Sequence, residues 1–281
     1  GHTPFGHAGE RFLSELYHNE TGRYFNHNVH STRVLDKIFA RNFTMQTLDG
    51  VLCHNGEFEQ QEYRPNYAKT FDEYDNEVEA CYTEGAPAIK RLIPSTLEGC
   101  VVRICDMIAY LGKDRQDAIL AGIIEPDYQF KTELIGTENA KIINNLTVDI
   151  IEHSYGKDYI MLSDKAFKDL STAKKENYEV IYNNDVMNQQ YEEIIKPMFE
   201  ELYYKLLDDV KRNDTDSIIF KHHINPIGDA LKQYHGIDYS AEEKNQIVVD
   251  YIASMTDDYF IDLHKHMFPD SKYKVEYEPY F

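Results

Sequence analysis

The sequence predicts an all-α protein on three observations. Nearly every long segment of its 281 residues spaces apolar side chains three and four apart, as one face of a helix requires, rather than alternating them as a strand does. Helix-start residues stand where those segments begin, with Thr3 before Pro4, Asn26 before His27 and Ser95 after Pro94. No internal repeat or low-complexity tract interrupts the pattern.

The elements follow in order. Thr3 is placed to cap a helix that takes Pro4 as its first residue and reaches about Tyr17. Asn26 is placed to cap the next, over residues 27–41, with Val29, Val34 and Ile38 on its inner face. Residues 57–84 differ: Pro65 and the acidic set Asp72, Glu73, Asp75, Glu77 and Glu79 leave few apolar anchors, so the span reads as an exposed insertion or mobile loop. Pro94 and Ser95 introduce a strong helix over 96–113, followed by a separate one over 117–124. Residues 138–153 form a helix with Ile142, Ile143, Leu146, Ile150 and Ile151 inward, and 163–170 a short one. Ile194, Ile195, Met198, Leu202 and Leu206 mark a helix over 191–207, and 242–268 read as one long amphipathic helix ending before Pro269. The alternating residues 271–281 form a strand or an extended tail. A boundary near residue 135 separates residues 1–135 from a second helical region, 136–281.

Composition narrows the partners. Lys and Arg number 29 against 49 Asp and Glu, and a net charge of -20 argues against nucleic acid or an anionic membrane as the main partner. No apolar run approaches the ~18 residues of a membrane helix, and Cys53, Cys81, Cys100 and Cys105 lack paired spacing, so they read as reduced thiols of a cytoplasmic protein. There is no Trp beside 22 Tyr, a bias without a functional reading at this level.

Two segments carry chemistry. On the helix after Thr96, Asp106, Tyr110 and Asp114 recur every four residues along one stripe, beside Arg103, while Val, Ile, Ala, Cys and Leu occupy the remaining circumference. A helix apolar nearly all round is buried, and a carboxylate on it needs a partner: Arg103 in an internal ion pair, or a metal ion. At the N-terminus, His2, His7 and Glu10 lie among Gly1, Gly6, Ala8 and Gly9, small residues that let a phosphate or metal approach the backbone. His7 and Glu10 share a helix face, and a carboxylate behind an imidazole is what a general acid or base requires. His27 and His30 add a second histidine pair one turn apart.

Gly-His-Thr-Pro-Phe-Gly-His-Ala-Gly-Glu at residues 1–10 comes first. His27-Asn28 with Ser31 and Arg33 follows, then Leu97-Glu98-Gly99 running into Val101-Val102-Arg103-Ile104 and Asp106 with Ile108-Ala109-Tyr110. In this order they resemble the deoxyguanosinetriphosphate triphosphohydrolase family of HD-domain proteins, over roughly the first 125 residues. Weaker similarity continues through Asp149-Ile150-Ile151-Glu152-His153-Ser154-Tyr155-Gly156 and Asp250-Tyr251-Ile252-Ala253-Ser254-Met255-Thr256-Asp257. The resemblance implies an HD-domain helical fold with a helical C-terminal region, and hydrolysis of a deoxynucleoside triphosphate, dGTP or a broader set, to the deoxynucleoside and inorganic triphosphate. It implies a divalent metal (Mn, Mg, Fe, Ni or Zn) held by a first His, a His-Asp pair and a later Asp. Asp106 matches the later Asp; the other ligands are expected before Gly1, which makes the chain an N-terminally truncated HD domain on this expectation.

By the same correspondence His7 is the catalytic histidine near the α-phosphate, Glu10 its acidic support and His27 a second histidine of the cluster. His2 lines the pocket, Tyr110 packs on the deoxyribose, and Asp114 accepts from the 3′-hydroxyl. The family also implies a homo-oligomer. Asp258 stands where the family often has Arg. Arg33, Arg103 and Lys113 are the basic residues placed for phosphate or structural pairing. Two alternatives stay open: another HD-type nucleotide phosphohydrolase, and a non-catalytic nucleotide-binding or oligomer-forming subunit.

Overall fold

The computed structural model describes residues 1–55, 59–183 and 185–275. In chain order its helices are α1 (Gly6–Thr21), α2 (His27–Arg33), α3 (Met45–Leu52), α4 (Phe71–Glu84), α5 (Ala86–Arg91), α6 (Leu97–Leu120), α7 (Asn139–Ser154), α8 (Asp164–Asn177), α9 (Asp185–Gln190), α10 (Lys196–Lys211), α11 (Asn225–His235), α12 (Lys244–Ala253) and α13 (Asp257–Met267). The sheet among the described residues is a two-residue antiparallel ribbon, β1 (Glu62–Tyr63) on β2 (Ile160–Met161), with Glu62 opposite Met161. The all-α expectation therefore holds. Single π-type turns extend α2 over Val34–Ile38 and lead into α10 over Tyr191–Ile195.

The chain forms two compact units built from alternating stretches. One takes Gly1–Thr44, Asp75–Ala88 and Gln189–Phe281; the other takes Met45–Tyr74 and Ile89–Asn188. Residue 135 lies inside the second unit.

In the first unit α10 packs against α12, and α1 lies against both. Phe12, Leu13 and Leu16 of α1, Phe199, Leu202 and Leu206 of α10, and Val248 and Ile252 of α12 are buried together. That core also holds a carboxylate. Asp250 accepts Arg33 Nε and Nη2 at 2.8 Å each, Gln246 Nε2 at 2.8 Å and the Tyr239 hydroxyl at 2.8 Å. A buried charge so fully paired avoids the penalty of an isolated one. Burial works to raise the Asp250 pKa, and the Arg33 hydrogen bonds and charge bring it below the usual carboxylate value. His30 Nδ1 lies 3.7 Å from the same carboxylate, and His223 Nε2 donates to the Tyr239 hydroxyl at 2.8 Å.

In the second unit α6 is central, against α3, α7 and α8. Thr96 caps it by accepting the Gly99 N–H at 3.1 Å. Cys100, Ile104, Met107, Ile108 and Leu111 of α6 meet Ile142, Leu146, Leu162 and Leu170. A second buried ion pair, Lys69 Nζ to Asp49 Oδ1 at 2.7 Å, fixes the approach to α6, since Asp49 also accepts the Ser95 N–H at 2.6 Å and Lys69 donates to the Ile93 carbonyl.

Several expected elements differ. Thr3 caps nothing: its hydroxyl donates to the Gly6 carbonyl, and α1 starts two residues later than expected. The span expected as an exposed insertion contains α4, which buries Tyr74 and Cys81 and offers Glu79 to a bidentate pair with Arg23. The helices expected over 96–113 and 117–124 are one, because Lys113 and Asp117 pair across one turn and nothing breaks the backbone between them. The helix over 163–170 runs on to Asn177, from a Ser163 cap that accepts the Ala166 N–H. The long helix over 242–268 is two, α12 and α13, because Thr256 accepts the Tyr259 N–H and restarts the chain. Residues 276–281 of the alternating tail lie outside the described residues.

Burial pushes both His30 and His223 down to about 4 from 6.5, against the attraction of Asp250. The folded pKa lies below the unfolded one, so between these values the unfolded chain binds more protons and stability falls as pH falls. Each histidine is expected to remove on the order of 2 kcal/mol between neutral pH and pH 5. Urea denaturation followed by circular dichroism measures this; a midpoint that holds steady over that interval contradicts it.

Candidate functional site

The turn before α1 sets the site. Phe5 and Gly6 both have left-handed backbone, φ 60° and 53°, so the chain reverses before the helix begins. The Phe5 N–H donates to Asp257 Oδ1 at 2.8 Å, and its ring meets Phe260 edge-on at 5.5 Å, fixing the turn to the start of α13. Gly9 is required by contact: a Cβ there would lie 1.8 Å from the Pro4 carbonyl oxygen. At position 9 the small residue thus serves the turn rather than leaving room for a phosphate.

The reversal places His7 in the first turn of α1, exposed, with Glu10 one turn on and facing α2. Glu10 Oε1 accepts the backbone N–H of His27 at 2.7 Å, and both carboxylate oxygens lie 3.0 Å from His27 Nδ1. Glu10 therefore does what the sequence assigned to Asn26. Asn26 precedes α2 with extended backbone but makes no side-chain cap; its Nδ2 donates to the Cys81 carbonyl at 3.3 Å. The buried His27 ring stacks on exposed His2 with centroids 4.3 Å apart and meets His7 edge-on at 5.6 Å.

Burial acts to raise the Glu10 pKa, but the hydrogen bond and charge of His27, its backbone N–H and the charge of His7 outweigh it and hold the carboxyl below its usual value. An ionised carboxylate has no proton to give, so His27 Nδ1 carries one and donates it to Glu10. The ring orientation is fixed by this hydrogen bond.

The donor atoms of His7, Glu10 and His27 lie within 4.8 Å of one another. As a divalent-metal centre this group does not fit. Glu10 is engaged with His27 as an orienting partner, leaving two imidazoles where such sites use about three or four protein ligands.

Asp106, Tyr110 and Asp114 lie on one stripe of α6, in the second unit, and all three are half-buried. Tyr110 packs against the core of that unit, and Asp114 accepts a short hydrogen bond from the Tyr182 hydroxyl. The helix is not buried all round: Val101 and Val102 are 41% and 48% exposed, and Cys105 is exposed beside Asp106. Arg103 is 1% exposed, and its Nη1 donates to the Leu92 carbonyl. Arg33 likewise serves Asp250, and Lys113 serves Asp117. Burial raises the Cys100 thiol to about 11, in keeping with an inert cysteine. The structure thus groups His2, His7, Glu10 and His27 in one unit and places Asp106, Tyr110 and Asp114 on one helix of the other. Sequence reasoning gave no role to Asp257; the signal was its position after Thr256, at a helix start whose carboxylate is free to accept from Phe5.

Comparison with known proteins follows the same lines. Residues 160–266 match the phosphohydrolase-associated domain. The chain is 27% identical over 274 residues to a deoxyguanosinetriphosphate triphosphohydrolase-like protein of Caldanaerobacter subterraneus, covering 95% of this chain and 64% of that protein. It is 27% identical over 277 residues to one from Desulfatibacillum aliphaticivorans, covering 95% of this chain and 67% of the relative. A Caulobacter vibrioides protein of the same name is 36% identical over 143 residues, 48% of this chain and 33% of its own. The chain spans about two thirds of the first two relatives. Similarity to deoxyguanosinetriphosphate triphosphohydrolase-like proteins thus runs along almost the whole of this chain, at 27% identity to the first two.

Proposed function

We propose that the protein hydrolyses deoxynucleoside triphosphates, dGTP or a broader set, to the deoxynucleoside and inorganic triphosphate. The observation that carries this is the Glu10 carboxylate holding both the backbone N–H and the Nδ1 of buried His27, with exposed His7 against the ring. In the reaction the oxygen of water bonds to the α-phosphorus and the bond from phosphorus to O5′ breaks. O5′ leaves as an alcohol and needs a proton, which the exposed His7 imidazolium is placed to give. Glu10 fixes the orientation of the His27 ring. Tyr110 and Asp114 are assigned to the deoxyribose, and His2 to the wall over His27. The names of the relatives and the phosphohydrolase-associated domain support a phosphohydrolase. No step is assigned to a metal.

Full-length protein incubated with dGTP and a divalent salt is expected to release deoxyguanosine and triphosphate, separated by ion-exchange chromatography. His7→Ala is expected to lower the rate by about 10²-fold or more. Release of dGMP and pyrophosphate would refute the bond assignment. A second reading is nucleotide binding without turnover; it takes over if dGTP raises the melting temperature and no product forms.

Glu10→Gln tests the support of His27. The amide still accepts the backbone N–H, so α2 is expected to hold with a loss of about 1–2 kcal/mol, while the carboxyl whose pKa His27 and His7 hold down is gone. The low-pH side of the rate profile is expected to move with little change in fold, read by circular dichroism and a pH series. An unchanged profile would show Glu10 to be a helix cap and nothing more.

A further inference from the structure

We propose that the second unit encloses a small oxyanion, of carboxylate or phosphate type, on the edge of Arg103 formed by Nε and Nη2. Arg103 lies on the inner face of α6 and is 1% exposed. Cys100, three residues before it, and Ile104 and Met107, one and four after, are buried with it. A guanidinium carries N–H groups on three nitrogens, and each needs an acceptor once it leaves water.

Only one of the three is served. Nη1 donates to the Leu92 carbonyl, while Nε and Nη2 are buried without a hydrogen-bond partner. Those two nitrogens form the side of the fork whose N–H bonds run parallel, the side that meets two oxygens of a carboxylate or phosphate at once. Arg33 shows that use in the first unit, where its Nε and Nη2 take the two oxygens of Asp250 at 2.8 Å each. Arg103 presents the same edge to the interior of the second unit.

Hydrogen bonding alone does not choose between water and an anion; charge does. The carboxylates that share the electrostatic surroundings of Arg103 are taken by other cations. Asp49, which acts with Arg103 on the Cys100 thiol, has one oxygen on Lys69 Nζ and the other on the Ser95 N–H. Glu59, which acts with Arg103 on the Tyr63 phenol, pairs with Lys174. Asp106, three residues on, belongs to the half-buried stripe of α6. Burial raises both the Cys100 thiol and the Tyr63 phenol, so each stays neutral and supplies no negative charge. Water would accept from Nε and Nη2 and leave the buried charge unbalanced, whereas an oxyanion meets both demands. The enclosure sets the size: with Arg103 1% exposed, the guest is a few atoms across and is not a nucleotide.

The 281-residue chain is melted at one ionic strength while gluconate, too large for an enclosed site, is replaced stepwise by formate or by phosphate. One of the two is expected to raise the melting temperature by about 3 °C or more at saturation, formate marking a carboxylate site and phosphate a phosphate site. Arg103→Met keeps the length of the side chain without its charge and is expected to lose that response, with circular dichroism unchanged. A crystal structure of the unsubstituted chain from the stabilising salt is expected to show two oxygens of the anion on Nε and Nη2, a readout that does not depend on the variant folding. A melting temperature indifferent to both salts, or an equal rise in Arg103→Met, would overturn the proposal. Water, chloride or a carboxylate of the chain itself on that edge in the crystal would overturn it as well.

Discussion

The Asp250 carboxylate is the constraint around which the first unit is arranged. It lies on α12, deep in an apolar core, where an unpaired charge would be prohibitive. Arg33 at the end of α2, Gln246 one turn back and Tyr239 from the 3₁₀ turn before α12 all point to it. Arg33 comes from more than two hundred residues away and the other two from nearby, and removing one leaves the carboxylate under-paired and the others misdirected. The consequence for function runs through α2. Arg33 pins its C-terminal end to Asp250, while Glu10 holds its N-terminal end at His27. Both ends of a seven-residue helix are fixed by charge, and the imidazole it carries has little freedom left.

The same core explains a composition that had no reading in the sequence. Tyrosine brings a large apolar ring and one hydroxyl, and this interior uses both. The Tyr17 hydroxyl donates to Gln246, Tyr203 to Asn245 and Tyr239 to Asp250, while Tyr251 and Tyr259 share a hydrogen bond. Polar residues of α12 that would be costly among Leu and Val are matched one by one. Burial pushes the phenols of Tyr203 and Tyr239 upward, so they remain neutral donors.

Much of this was legible in the sequence, and the parts that were not share a cause. Periodicity identifies a helix but not which face is inward: Ile142, Ile143, Leu146 and Ile151 looked alike, and the fold buries the first and third while leaving the second and fourth exposed. Acidic composition hid α4, because Glu79 looked solvated until Arg23, more than fifty residues earlier, supplied its partner. The N-terminal cluster was legible as chemistry and misread as local structure. Pro4 suggested a helix start; the left-handed pair Phe5 and Gly6 delays it, held by Asp257 from the far end of the chain. Partners distant in sequence decide each case, and one residue's neighbourhood does not reveal them.

That dependence bears on how the site is kept in shape. Glu10 satisfies the first N–H of α2 and orients the His27 ring with the same two oxygens. Helix capping and imidazole alignment therefore rise and fall together: a change that frays the start of α2 also releases the ring, and one that removes the carboxylate charge weakens both. A serine or asparagine cap would have stabilised the helix as well, but neither carries the charge that fixes the proton on Nδ1. The choice of glutamate, delivered from α1 across the turn that Asp257 anchors, is a structural demand and a chemical one met by a single group. The distant motif around Asp250 and Asp257 thus acts on the site through α2 and the Phe5 turn while touching neither His7 nor His27 among the hydrogen bonds described.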